Sequence, residues 1–165
     1  MMRMDKIRII MTGGTFDKHY DELAGALTFK DSHLREILEY SRCTLPVELE
    51  ANQLKDSLDM SDEDREQILA SCKSCPEKRI VIIHGTDTMT QTAEKLAREI
   101  KDKTIIITGA MIPYPIRKSD ALFNFGCALN AVQLMPQGVH IAMNGRIFEA
   151  GHVRKNREKG IFEEI

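Results

Sequence analysis

The chain has 165 residues, 42% hydrophobic and 29% charged, with 23 Lys and Arg against 25 Asp and Glu for a formal net charge of −2 at pH 7. That length buries enough apolar surface for one domain to fold without disulfides or a metal, and the near balance of charge gives no overall basic footprint for nucleic acid. No apolar stretch approaches the roughly 18 residues of a membrane span, and the N-terminus has no signal-peptide core; the expectation is a cytoplasmic protein whose partner is a small molecule rather than a nucleic acid or a membrane.

Ile7-Arg8-Ile9-Ile10-Met11 reads as a buried strand, followed by the turn Thr12-Gly13-Gly14-Thr15-Phe16. Ser32 is placed to cap a helix running to about Tyr40, and Val47-Glu48-Leu49-Glu50-Ala51 alternates as a half-buried strand does. Ser61-Asp62-Glu63-Asp64 has capping-box spacing, with Asp in place of the longer Glu, and opens a helix that Pro76 closes. Residues 80–83 form an apolar strand that runs into His84-Gly85-Thr86-Asp87-Thr88-Met89. A helix from about Thr88 to Ile100 would place Met89, Ala93, Leu96, Ala97 and Ile100 on one face. Thr104-Ile105-Ile106-Ile107 is the next strand. Pro113 and Pro115 impose an irregular loop before a helix from about Ser119 to Leu134, and Val139 to Met143 closes the series as a strand. This alternation predicts an α/β fold, a three-layer domain with a mainly parallel sheet, without internal repeats.

In such a sheet the loops at the carboxyl ends of the strands line a common crevice, so the hydroxyls of the two Thr- and Gly-rich turns can converge on one substrate. Gly13 and Gly14 allow a sharp bend and the approach of a ligand to the main chain, and Thr15 presents a hydroxyl just beyond them. A threonine hydroxyl is a poor nucleophile without a group to take its proton and donors for the oxyanion that follows attack on a carbonyl. Thr86 and Asp87 offer a second hydroxyl and a carboxylate, and Lys155 is a candidate base. The structural alternative is that the glycines merely close tight connections while Thr and Asp cap helices.

Cys72-Lys73-Ser74-Cys75 has CxxC spacing, but no second pair completes a metal set, and the four cysteines read as reduced, non-catalytic thiols. His19, His33, His84, His140 and His152 show no HExxH or comparable spacing. Asp62, Glu63 and Asp64 suit a helix N-terminus. Arg117-Lys118 and the run from Arg154 to Lys159 offer either an anion site or a solvated face.

Taken together, Thr12-Gly13-Gly14-Thr15, His84-Gly85-Thr86-Asp87-Thr88-Met89 and Thr108-Gly109-Ala110-Met111 resemble the signature segments of bacterial-type L-asparaginases, in that family's order, from about Ile7 to Lys155. The resemblance implies hydrolysis of L-asparagine to L-aspartate and ammonia, without metal or organic cofactor. It implies Thr15 as nucleophile and a second group of Thr86, Asp87 and Lys155, in which a lysine and a carboxylate assist a threonine hydroxyl. Gly14 belongs to the substrate-binding turn. Ser57, in Asp56-Ser57-Leu58-Asp59-Met60, matches a serine that binds the substrate's α-carboxylate, and Asp87 would also hold the α-ammonium group. Backbone N–H groups of Thr86 and Ala110 would be the oxyanion donors. Tyr20 matches the family's mobile tyrosine, with surface packing as its other reading.

Three departures accompany the resemblance. Leu58 stands where the family often has a polar residue, which touches the balance between asparagine and glutamine. The tyrosine loop is shorter. The third is that the family's second, C-terminal α/β domain does not follow Ile165, so residues 1–165 are read as a single domain of the N-terminal kind, either a short asparaginase whose site is completed by self-association into a homo-oligomer or a fragment or binding remnant. Two alternatives stay open: a binding module that holds asparagine or aspartate without turnover, and an ammonia-supplying component of an amidotransferase.

Overall fold

The computed structural model describes residues 5–165. Strand β1 (Ile7–Gly13) is buried at nearly every position because helices cover both of its faces. After it come a hairpin of two short strands, β2 (His19–Asp21) and β3 (Ala26–Thr28), then helix α1 (Leu34–Tyr40) and strand β4 (Val47–Lys55). Helix α2 (Asp62–Ser74), strand β5 (Arg79–Ile83), helix α3 (Met89–Glu99), strand β6 (Thr104–Thr108), helix α4 (Ala121–Leu134) and strand β7 (Gly138–Met143) continue the alternation. The chain closes with strands β8 (Arg146–Glu149), β9 (Val153–Asn156) and β10 (Ile161–Glu164).

Six strands form one sheet in the order β4-β1-β5-β6-β7-β8, parallel throughout except for the antiparallel β7–β8 edge. Alternate residues of each strand feed two cores. Ile10, Ile80, Ile82, Ile105, Ile107 and Ile141 pack with Ile68, Leu69, Met89, Ala93 and Leu96 of α2 and α3. On the opposite face Ile7, Ile9, Val81, Ile83, Ile106 and Ala142 pack with Leu34, Ile37, Phe125, Ala128 and Val132 of α1 and α4. The result is the three-layer arrangement the sequence implies. Two fully buried side chains such as Ile82 and Met89 contribute about 1.5–3 kcal/mol each by leaving water. No helix among the described residues is long and apolar enough to cross a membrane.

From β1 the chain crosses to β4 on one side, and β5 pairs with β1 on the other, so the strand order reverses between β1 and β5. Crevices form at the carboxyl ends of strands beside such a reversal. The register levels those ends, with Met11 opposite Ile83 and Ile83 opposite Thr108. The turns after β1, β5 and β6 therefore emerge side by side.

Local signals are realised with small shifts. Ser61 Oγ accepts the Asp64 N–H at 3.2 Å while Asp64 Oδ2 accepts the Ser61 N–H at 2.9 Å, a reciprocal capping box that works with Asp. Ser32 Oγ accepts from the Leu34 N–H, although the helix opens after His33. Strand β4 runs on to Lys55, four residues past the alternating pentapeptide, as the half-exposed edge of the sheet. The hairpins are additions that apolar periodicity does not signal. One of them had a turn signal: Asn144 and Gly145, with φ of 55° and 74°, form the Asn-Gly connection between β7 and β8.

Candidate active site

The turn after β1 approaches two others without room for side chains. A Cβ on Gly14, whose φ is +82°, would lie 2.4 Å from the Gly85 nitrogen, and one on Gly85 would lie 2.7 Å from both Cβ and Oγ of Ser57. A Cβ on Gly109 would lie 2.2 Å from the His84 carbonyl oxygen. Glycine at these positions lets four segments that are distant in sequence touch main chain to main chain. The seams are then hydrogen-bonded: Thr12 Oγ1 donates to Ile83 O at 2.7 Å, Gly14 N to Lys55 O at 2.9 Å and His84 N to Thr108 O at 2.9 Å.

Inside the second turn, His84 is fully buried. Gly85 O can only accept, so Nδ1 carries the proton toward it at 2.8 Å, and Nε2 accepts from the Thr92 hydroxyl at 2.8 Å. Burial pushes the imidazole down to about 4, so the ring is neutral at pH 7 and acts as a brace between the turn and α3. Thr88 adds two bonds, its N–H to Ser57 Oγ at 3.2 Å and its hydroxyl to Ser57 O at 2.8 Å. The turn after β6 is braced in the same way by α4: Asn124 Nδ2 donates to Gly109 O at 2.9 Å, and the Asp120 carboxylate accepts the N–H groups of Met111 and Ile112.

Lys155, on β9, reaches this cluster from the far end of the chain. Its Nζ donates to Thr86 Oγ1 at 2.8 Å and Asp87 Oδ1 at 2.9 Å, with the lysine side chain only 10% exposed. Arg157 Nη2 stands 3.6 Å from the same Asp87 oxygen. Thr15, half-buried, opens a 3-10 turn directly after Gly14. Ser57 and Ala110 are buried, and among the described residues the N–H groups of Thr86 and Ala110 have no backbone acceptor.

The structure thus brings together Thr86, Asp87 and Lys155 by direct bonds, and packs the Gly14 and Ser57 segments against that turn. Tyr20 does not join them: it lies on the hairpin, 61% exposed and paired with Leu27. Leu58 is exposed. A depression of about 270 Å³ on the hairpin is lined by Tyr20 with His19, Asp21 and Thr28 among others, and one of about 330 Å³ between α1 and β4 is lined by none of these residues. The sequence marks Thr88 only as part of the turn motif and Arg157 only as part of the run from Arg154 to Lys159, with no site role for either. Helix capping explains the first equally well, and Arg157, in the turn just past β9, reads in the sequence as part of an anion site or a solvated face. Among the described residues no group of three metal-ligating side chains is assembled.

An α/β domain with a polar, threonine-bearing cluster at the strand-order reversal is the class that fold and site define. The family model for the asparaginase N-terminal domain matches residues 6–161, and the chain belongs to that family. L-asparaginase 1 of Escherichia coli K12 is 30% identical over 171 residues, covering 96% of this chain and 50% of that protein. The thermostable L-asparaginase from Thermococcus kodakarensis superimposes with a TM-score of 0.86 at 26% identity, over 97% of this chain and 51% of the other. A probable cytoplasmic L-asparaginase from Campylobacter jejuni gives 0.82 at 28% identity, over 97% and 53%. The chain spans about half the length of the relatives it matches.

Proposed function

We propose that the protein hydrolyses the side-chain amide of L-asparagine, with Thr15 as nucleophile and Thr86, Asp87 and Lys155 as the group that moves protons. The observation that carries this reading is Lys155 Nζ bonded at once to Thr86 Oγ1 and Asp87 Oδ1, on a turn in main-chain contact with the one that bears Thr15. Thr15 Oγ1 adds to the amide carbon and gives its proton to the Lys155–Thr86–Asp87 group. The negative charge that develops on oxygen is met by the N–H groups of Thr86 and Ala110, which have no backbone acceptor among the described residues. The leaving nitrogen takes a proton through the Lys155–Thr86–Asp87 group and departs as ammonia, and water completes the release of L-aspartate. Gly14 lets the turn that bears Thr15 close against the Gly85 main chain beside the substrate, and the second oxygen of Asp87 is the partner for the α-ammonium group. Tyr20 enters this reading as a residue that closes over bound substrate from the hairpin. The likeness to a probable cytoplasmic L-asparaginase supports a cytoplasmic protein, and a homo-oligomer is part of the same reading.

Ammonia release from L-asparagine by wild type, Thr15→Ala and Lys155→Met tests the reading. We expect turnover by wild type, a loss of about a thousandfold or more in Thr15→Ala, and a loss of about 10²- to 10⁴-fold in Lys155→Met, with folding intact by circular dichroism. Binding of asparagine without release would instead identify a binding module or an ammonia-supplying component.

A further inference from the structure

The two N–H groups assigned to the oxyanion belong to the peptide units Gly85–Thr86 and Gly109–Ala110, and each unit is gripped at its carbonyl by one side chain. His84 Nδ1 donates to Gly85 O at 2.8 Å, and Asn124 Nδ2, on α4, donates to Gly109 O at 2.9 Å. Both side chains are buried. A further group holds each of them in turn: the Thr92 hydroxyl donates to His84 Nε2 at 2.8 Å, and Asp120 Oδ2 accepts from Asn124 Nδ2 at 3.0 Å. Gly109 O and the Asp120 carboxylate can only accept, so both face the amide nitrogen of Asn124. The two peptide units abut, with His84 N bonded to Thr108 O and no room for a Cβ on Gly109 beside His84 O.

A trans peptide is planar, with its C=O and N–H pointing in opposite directions. A donor fixed on the carbonyl oxygen therefore sets the direction of the N–H across the same plane and polarises it. Glycine, which precedes both N–H groups, would otherwise let each plane turn through a wide range of backbone angles. We infer that His84 and Asn124 are a matched pair of positioning residues that aim the Thr86 and Ala110 N–H groups at the oxyanion without touching substrate, a role that rests on the proposed hydrolysis. Loss of either anchor acts on the transition state, where charge has reached the oxygen, more than on bound asparagine, whose amide is neutral.

The test measures ammonia release from L-asparagine and calorimetric binding of L-aspartate, whose β-carboxylate carries charge on oxygen as the intermediate does, in wild type, His84→Leu, His84→Asn and Asn124→Leu. His84→Asn keeps an N–H donor near the place of Nδ1, whereas His84→Leu and Asn124→Leu keep volume without one. In His84→Leu and Asn124→Leu kcat falls about ten- to a hundredfold while KM for L-asparagine stays within about twofold, and His84→Asn recovers most of the loss. Unchanged kcat in a folded leucine variant, or a KM that rises as much as kcat falls, overturns the assignment, as does a loss in His84→Asn equal to that in His84→Leu. Where leucine prevents folding, His84→Gln and Asn124→Ser, polar but without a donor in reach of the carbonyl, are read by the same criteria. Should wild type release no ammonia, the hydrolytic reading fails by itself and L-aspartate decides the anchors: affinity about fivefold weaker in the variants that lack the donor supports them, and equal affinity, or no binding by wild type, overturns them.

Discussion

The turn after β1 and the turn after β5 bear the same residue types and are held in place by different means. The first is shaped by its backbone: Gly13 and Gly14 have φ of 98° and 82°, and Gly14 N bonds to Lys55 O, while the Thr15 hydroxyl has no side-chain partner among the described residues. The second is shaped by side chains, through the buried His84–Thr92 bond, the two bonds from Thr88 to Ser57, and the Lys155 contacts to Thr86 and Asp87. A backbone-shaped turn leaves its hydroxyl free to meet a substrate. A side-chain-shaped turn holds its hydroxyl in a fixed hydrogen-bond field, as proton transfer demands.

The contrast can be broken on the first side with Gly14→Ala, which adds a Cβ 2.4 Å from backbone at a positive φ. Main chain must move on both turns, and a destabilisation of about 4 kcal/mol is expected, read by urea denaturation; Gly25→Ala, with φ +63° and open space around it, should cost only about 1 kcal/mol. On the second side acid is the lever. His84 is held neutral down to about 4, below the ordinary histidine value of 6.5. Between those two pH values the unfolded chain takes up a proton at this position that the folded chain refuses. Stability therefore falls as pH drops through that window, by about 3 kcal/mol at pH 4, and this group adds no slope above it. Burial lowers His33 and His140 in the same direction. Denaturation curves at pH 7 and pH 4 should show that His84→Asn removes His84's share of the slope. Thr86→Val sharpens the distinction further, because it deletes the oxygen that Lys155 meets while leaving the Lys155–Asp87 pair. A fall in kcat of about 10²-fold, roughly 2.7 kcal/mol of barrier, with an unchanged unfolding midpoint would assign the Thr86 hydroxyl to chemistry rather than packing.

The layers of the fold are legible because the strands are buried on both faces: Ile80 to Ile83 and Ile105 to Ile107 are apolar at consecutive positions, and α3 carries its apolar stripe from Met89 to Ile100. The convergence of Thr86, Asp87 and Lys155 is legible through motif resemblance alone, since no periodicity relates residues 69 apart in the chain. Strands β9 and β10 escape because Val153-Arg154-Lys155-Asn156 and Ile161-Phe162-Glu163-Glu164 each bury one residue and leave the others part-exposed or exposed, so apolar content is too low to signal a strand. Arg157 is legible only as one cation of the run from Arg154 to Lys159, because its neighbour Asp87 is brought to it by the fold. Tyr20 keeps both of its sequence readings, since an exposed hairpin position suits a surface side chain and a residue that closes over bound substrate alike.

The contact between Gly14 and Gly85, bare of side chains, joins strands that are neighbours only after the sheet has formed, as does the Thr12–Ile83 bond across 71 residues. Such long-range closures are slow and come late in folding. During refolding, helix signal should therefore return before ligand-binding capacity does, and the lag between them would time the moment at which the chain becomes competent.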